Sequence, residues 1–316
     1  MKLSLLLSFM ITSLFCSCYS TTEVEMPNDA SFLVANSVNF QPDSTWLIEI
    51  NRSSAYLDNN DYTLNEVALV TIEDGEGNQI QLTPINFSDR IFYMSNQKPE
   101  AGKRYELKIN VPGFPEARAK SVIPEPVQIE HVIIDSTILR DAYDFYRKNG
   151  NYGPYDGQTI NCYVSFRDPS SIKNYYQLKL YRETEEEYID LNGNLVQKYF
   201  FIESGFYIDK DGRTSFMIEN DELFNGTLYT WNVQVPISAF YDFKFGSQEN
   251  DNFKLKLHFT LRHLSKDYYN YFETLQLQDI RNGDPFAQPV IVHNNIENGA
   301  GIFAGFSQSV KILQNH

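Results

Sequence analysis

Side chains able to do chemistry are plentiful in this chain, but the spacings that would make them act together are scarce. His258 and His263 stand five residues apart in a run of strand character. That odd separation puts them on opposite faces, and no His-Glu-x-x-His pair is present to hold zinc. Asp209-Lys210-Asp211-Gly212 opens like a calcium loop but lacks the third oxygen ligand before the glycine and the closing bidentate glutamate, so it reads as a hairpin turn. No metal and no cofactor are expected. Gly299-Ala300-Gly301-Ile302-Phe303-Ala304-Gly305 has the glycines of a phosphate loop, but only 11 residues follow it, too few for the helix and strand of a dinucleotide-binding unit. There the glycines are read as permitting positive φ and close backbone approach, while Ile302, Phe303 and Phe306 fill a core.

Hydrolytic chemistry has no signature either. There is no Gly-x-Ser-x-Gly elbow, and nothing pairs a serine with His131, His258, His263 or His293. Cys162 has no neighbouring base in Ile160-Asn161-Cys162-Tyr163-Val164-Ser165-Phe166 and reads as a buried structural thiol. A glycosidase needs only two facing carboxylates, which 41 acidic residues can supply without any motif. No catalytic residue is assigned, and the chain is expected to be non-enzymatic. The run Glu183, Glu185, Glu186, Glu187 reads as a solvated strand end and hairpin flank.

The cysteines at the start carry a different chemistry. Residues 1–17 have a basic n-region at Lys2 and an apolar run from Leu3 to Phe15, too short to span a bilayer comfortably. The segment ends Leu14-Phe15-Cys16-Ser17-Cys18, which resembles a lipobox, and Ser17 selects Cys18 as the residue to be acylated, although Phe15 departs from the usual leucine. Cleavage there leaves the protein hanging from the membrane by lipid chains, with Cys162 the one remaining thiol and no internal disulfide.

Composition narrows the rest. The 316 residues include 26 Lys and Arg against 41 Asp and Glu, a net charge of −15, which argues against nucleic acid as a partner. With 42% hydrophobic and 15% aromatic residues the chain has the makings of a real core. Short β-rich runs separated by turns fill residues 31–122: Lys103 to Ile109 alternates at period two, and Asp74-Gly75-Glu76-Gly77-Asn78 closes a hairpin. Ile123-Pro124-Glu125-Pro126-Val127 breaks the pattern, because proline removes donors and forces extended geometry on its predecessor. Strands resume in residues 128–263, with Asn192-Gly193 at a hairpin tip. One helix follows, capped by Ser265, with Tyr268, Phe272 and Leu275 on one face. The expected fold is mainly β: two β-sandwich domains after a lipoprotein signal peptide. These are an N-terminal Ig-like domain (28–123), reached by a tether (18–27), and a larger C-terminal domain with one short helix (128–316), joined by a linker (124–127).

Residues 140–157 read as a long, partly ordered loop rich in aromatics. Tyr143, Tyr146, Tyr152 and Tyr155 are either a recognition surface for sugars, peptides or a protein, or a cover over the sandwich.

Five segments together resemble a known family: Pro126-Val127-Gln128-Ile129 with Asp135-Ser136; Val164 to Pro169 running into Asn174-Tyr175-Tyr176-Gln177-Leu178; Tyr268 to Phe272; Asp284-Pro285-Phe286 through Pro289; and Asn294-Asn295 through Gly305. The chain is similar along its mature length to the DUF4249 family of Bacteroidota lipoproteins, departing from it in Asn294-Asn295 and in a single Gly299 before Ala300. The resemblance implies an outer-membrane lipoprotein whose gene often lies near a TonB-dependent receptor, hence an accessory or substrate-binding partner of such a transporter. It leaves open which membrane face displays the protein. A structural component of an envelope complex and a carbohydrate-active hydrolase are the alternatives. Asp43-Ser44-Thr45 and Asp135-Ser136-Thr137 resemble O-glycosylation acceptors of that phylum, making Ser44 and Ser136 candidate sites.

Overall fold

A computed structural model describes residues 31–314 apart from 43, 54–63, 65–66, 88–89, 136, 150–152, 156, 171, 190–193, 209–212, 215–217, 241–255 and 282–287. Cys18, Ser136, Tyr152 and the segment 209–212 therefore lie outside the described residues, as do the side chains of Tyr143 and Tyr146.

The chain is mainly β. Its first half forms β1 (Leu33–Phe40), β2 (Trp46–Arg52), β3 (Leu69–Asp74), β4 (Gln79–Phe87), β5 (Arg90–Ser95), β6 (Arg104–Asn110) and β7 (Ala117–Val122). Alternation decides which side is buried: Tyr105, Leu107 and Ile109 of β6 point into the core, while Arg104, Glu106 and Lys108 point away. Gln79 to Leu82 of β4 pair with β3 and Thr83 to Phe87 pair with β5, so one strand passes from one layer to the other. Pro84, which has no N–H to donate, stands beside that change of partner. The β3–β4 turn is locked by Asp74, whose carboxylate accepts the amides of Glu76 and Asn78 at 3.0 and 2.8 Å, with Gly77 at φ 89°.

After the proline segment come β8 (Ile129–Ile134), α1 (Thr137–Asn149), β9 (Thr159–Arg167), β10 (Tyr175–Ile189), β11 (Leu195–Glu203), β12 (Tyr207–Ile208), β13 (Arg213–Thr214), β14 (Ile218–Asn220), β15 (Leu228–Pro236), β16 (Lys256–Leu264), α2 (Lys266–Arg281) and β17 (Gly299–Gln314). A five-stranded sheet, β13-β12-β15-β9-β8, faces the β11-β10-β16-β17 end of a 12-stranded sheet. Between them lie Cys162, Val164, Phe166, Leu178, Trp231, Phe259 and Leu261, all buried. Cys162 is a buried free thiol, and burial pushes its pKa up to about 12.

Helix α1 differs from the expected loop at 140–157. Ile138, Leu139, Ala142 and Phe145 follow the helical period, Ala142 is fully buried, and Asp135 accepts the Thr137 amide at the helix start. Glu183 likewise differs from a solvated strand end: it bonds Lys256 and His258, each at 2.7 Å, on the outer face of the sheet. Helix α2 forms as expected, with the Ser265 hydroxyl accepting the Tyr268 amide at 3.3 Å.

Strand β17 joins the halves. Its residues 299–305 run parallel to β1, whereas 306–314 run antiparallel to β16. Phe303 enters the first core beside Phe40 and Trp46, with ring centroids 4.7 and 6.1 Å away, while Ile302 and Phe306 pack under α2 with Tyr268. Glycine is required for the approach to β1. Gly301 has φ 116°, and a Cβ there would stand 2.1 Å from the Ala35 carbonyl oxygen; at Gly305 it would meet the Phe40 ring at 2.4 Å.

Gly301→Val should lower stability by about 3 kcal/mol or more, from backbone strain and the clash together. Urea denaturation would show this, and a parental midpoint would contradict it. Cys162 should resist iodoacetamide at pH 8 in the native protein and react within minutes once unfolded; fast native labelling would contradict the burial described.

Candidate functional site

Where the halves meet, a cleft of about 410 Å³ opens, within the ordinary size of a small-molecule site. The first half contributes Arg104 of β6, Lys120 and Val122 of β7, and Pro124. The second half contributes Ile172, Lys173 and Tyr175 before and on β10, and Lys266 and Asp267 at the start of α2. Four cations thus line one cleft of a strongly acidic chain. Lys173 is ion-paired with Glu222, and Lys120 lies 3.5 Å from Glu106. Asp267 is engaged by His293 at 2.9 Å.

The floor is a buried polar cluster centred on Asn174. Its backbone amide donates to Asp221 at 2.9 Å, and its side-chain amide donates toward Asp168 at 3.1 Å and the carbonyls of Pro169 and Ile172 at 2.8 and 2.9 Å. Asp168 also accepts the Tyr176 hydroxyl and, at 2.8 Å, the Gly226 amide. Burial and this contact with Asp168 hold the Tyr176 hydroxyl protonated, well above its ordinary pKa. These donors allow a carboxylate 3% exposed to sit inside the protein.

His263 completes the floor, stacked on Tyr176 with centroids 5.1 Å apart. Its Nδ1 lies 2.7 Å from the Glu125 carbonyl oxygen and its Nε2 lies 3.1 Å from the Asn174 side-chain oxygen. Burial lowers the imidazole pKa below its ordinary value, against the Glu125 hydrogen bond and the charges of Asp168 and Asp221. Its contact with Glu125 also fastens the proline segment to the second half, and Ser309 adds a 2.6 Å bond to the Val127 carbonyl.

Of the tyrosines proposed from sequence, Tyr155 is not at this cleft. Tyr143 and Tyr146 occupy α1, while Tyr155 lies in a short 3-10 turn, half-buried against the second core and edge-on to Phe145 at 5.9 Å. Ser44 lies in a turn, its hydroxyl donating to the Gln41 carbonyl at 2.7 Å. His258 and His263 do fall on opposite faces of β16, the first against Glu183 and the second in the floor. Among the described residues no group of three His, Cys, Asp or Glu is placed to hold a metal ion. Sequence reasoning missed the cleft itself, since its cations come from four separate segments; Asp168, Asn174 and Tyr176 carried a signal only as part of the family resemblance.

Because the folded pKa of His263 lies below the unfolded value of about 6.5, the unfolded chain takes up the proton first. The contribution of neutral His263 to stability is complete above about pH 6.5 and is lost as the pH falls through the folded pKa. His263→Gln should therefore flatten stability against pH below about 6.5, where the parent loses stability. Urea midpoints across that range test this, and parallel curves would contradict it.

Comparisons with known proteins place the chain. No curated protein matches it. A solved DUF4785 family protein from Legionella pneumophila is 10% identical over 73% of this chain and 52% of its own, with a TM-score of 0.25. The Yersinia pseudotuberculosis adhesin InvE is 17% identical over 75% of this chain and 55% of its own, with a TM-score of 0.21. The chain spans about half the length of these two structures, and overlaps this loose carry neither fold nor function across. The model of the family described as "Domain of unknown function (DUF4249)" matches residues 20–312, through both cores and the cleft, and the chain belongs to that family.

Proposed function

We propose that the protein is a lipid-anchored, non-enzymatic binding protein of the outer membrane that acts as an accessory of a TonB-dependent transporter. The observation that carries this reading is the cleft between the halves, walled by strands and a helix start rather than by loops alone. Sites held by regular elements keep their geometry without a closing motion, which suits a protein that presents a ligand. Its polar floor is spent on internal hydrogen bonds: Asp168 is saturated by donors, and His263 is held between Glu125 and Asn174. These groups support the walls rather than attack a substrate. Acylation at Cys18 would confine the protein to two dimensions beside its partner, raising effective concentration without a large interface.

Assembly into an envelope complex is the second reading, favoured by Phe201, Val310 and Ile312, which are 60%, 46% and 45% exposed. The first of two measurements tests the anchor and the second separates the readings. Cys18→Ser should abolish labelling by a palmitate analogue and release the protein from membranes. Purification of the tagged protein from outer membranes in mild detergent should bring down a TonB-dependent barrel in stoichiometric amount. Recovery of other envelope proteins without a barrel would favour assembly, and recovery of the protein alone would defeat the accessory role.

A further inference from the structure

We infer that the cleft between the halves binds a small soluble organic anion, a carboxylate or phosphate on an apolar body, with Arg104 and Lys266 as its two charge partners. The inference deepens the binding role proposed above and rests on it only in taking the cleft as the ligand site. The first support is charge. Lys120 and Lys173 are matched by Glu106 and Glu222, and Asp267 is hydrogen-bonded to His293. Arg104 and Lys266 line the same cleft from opposite halves, both exposed, and neither is ion-paired among the described residues. The chain carries a net charge of −15 and the floor holds the buried carboxylates of Asp168 and Asp221, so it is at the mouth that the two unmatched cations offer an anion its partners. At physiological salt, charges beyond about 8 Å are largely screened, so these neighbours rather than the net charge decide what enters.

The second support is hydrogen bonding. Ser265 takes the amides of Tyr268 and Tyr269, leaving those of Lys266 and Asp267 as unclaimed donors at the positive end of a 16-residue helix. The third is the apolar lining: Val122 and Ile172, 40% and 63% exposed, together with Pro124 give the non-ionic part of a ligand a surface to cover.

Calorimetric titration of the full chain in detergent with benzoate, phenyl phosphate and benzyl alcohol tests this. At least one of the two anions should bind, and benzyl alcohol at least tenfold more weakly. The Arg104→Glu/Lys266→Glu variant should weaken anion binding tenfold or more, and the milder Arg104→Gln and Lys266→Gln changes severalfold each. Arg90→Glu, whose parent side chain pairs with Glu49 away from the cleft, should bind as the parent does. Both charged positions are exposed, so melting curves should stay parental; if the double variant melts early, the two glutamine variants decide. Absence of anion binding, no preference over benzyl alcohol, or undiminished binding by the cleft variants would overturn the inference. Anion binding without a co-purifying barrel would defeat the transporter reading and leave the cleft assignment standing; a barrel without anion binding would do the reverse.

Discussion

Everything else in this structure depends on the shared use of β17. A single strand pairs through its first seven residues with β1 of one half and through the rest with β16 of the other, so the two cores share one 12-stranded sheet with continuous main-chain hydrogen bonding. That arrangement demands close passage beside β1, and the glycines at 299, 301 and 305 are where a Cβ would strike Leu33, Ala35 or Phe40. Asn295 guides the strand in: its side chain brackets Phe303, accepting the amide at 2.9 Å and donating to the carbonyl at 2.8 Å, much as a neighbouring strand would. Asn294 does related work one residue earlier, accepting the Ile296 amide at 2.9 Å and donating to the Gly299 carbonyl at 3.1 Å.

The cleft follows from this join. Once β17 fixes one sheet beside the other, the outward side chains of β6 and β7 come to face the start of α2. The seam is hydrogen-bonded on its floor, where Asn174, Asp168 and His263 bond one another and the segments around them, and basic at its mouth. His263 is the member that ties the proline segment to the second half, through a single backbone carbonyl. A flexible tether would have left the cavity without a defined width; the clamped Glu125 carbonyl and the buried Val127 give it one.

Much of this was legible in the sequence. The alternation in 103–109, the Asp74 turn, the Ser265 cap and the mechanical role of Ile302, Phe303 and Phe306 each depend on local geometry, and local geometry is what residue spacing encodes. Helix α1 was also encoded, in the period of Ile138, Ala142 and Phe145, but its tyrosines compete for attention with the pattern beneath them. The pairing of Glu183 with Lys256 and His258 could not be read, because it spans 73 and 75 residues and depends on which strands become neighbours. The same holds for the cleft: Arg104 and Lys266 are ordinary surface cations in sequence, and only the topology makes them face one cavity.

The join also sets an order of events in time. Leu33 finds its partner in Gly299, at the opposite end of the chain, so the first sheet stays one strand short until nearly the whole polypeptide is available. Closing so large a loop adds little equilibrium cost, since that cost grows only with the logarithm of length, but it places the step late among folding events. Until then β1 has an open edge able to pair with any extended chain nearby. The first half becomes native only when residues 33–40 and 299–305, far apart in sequence, have come together.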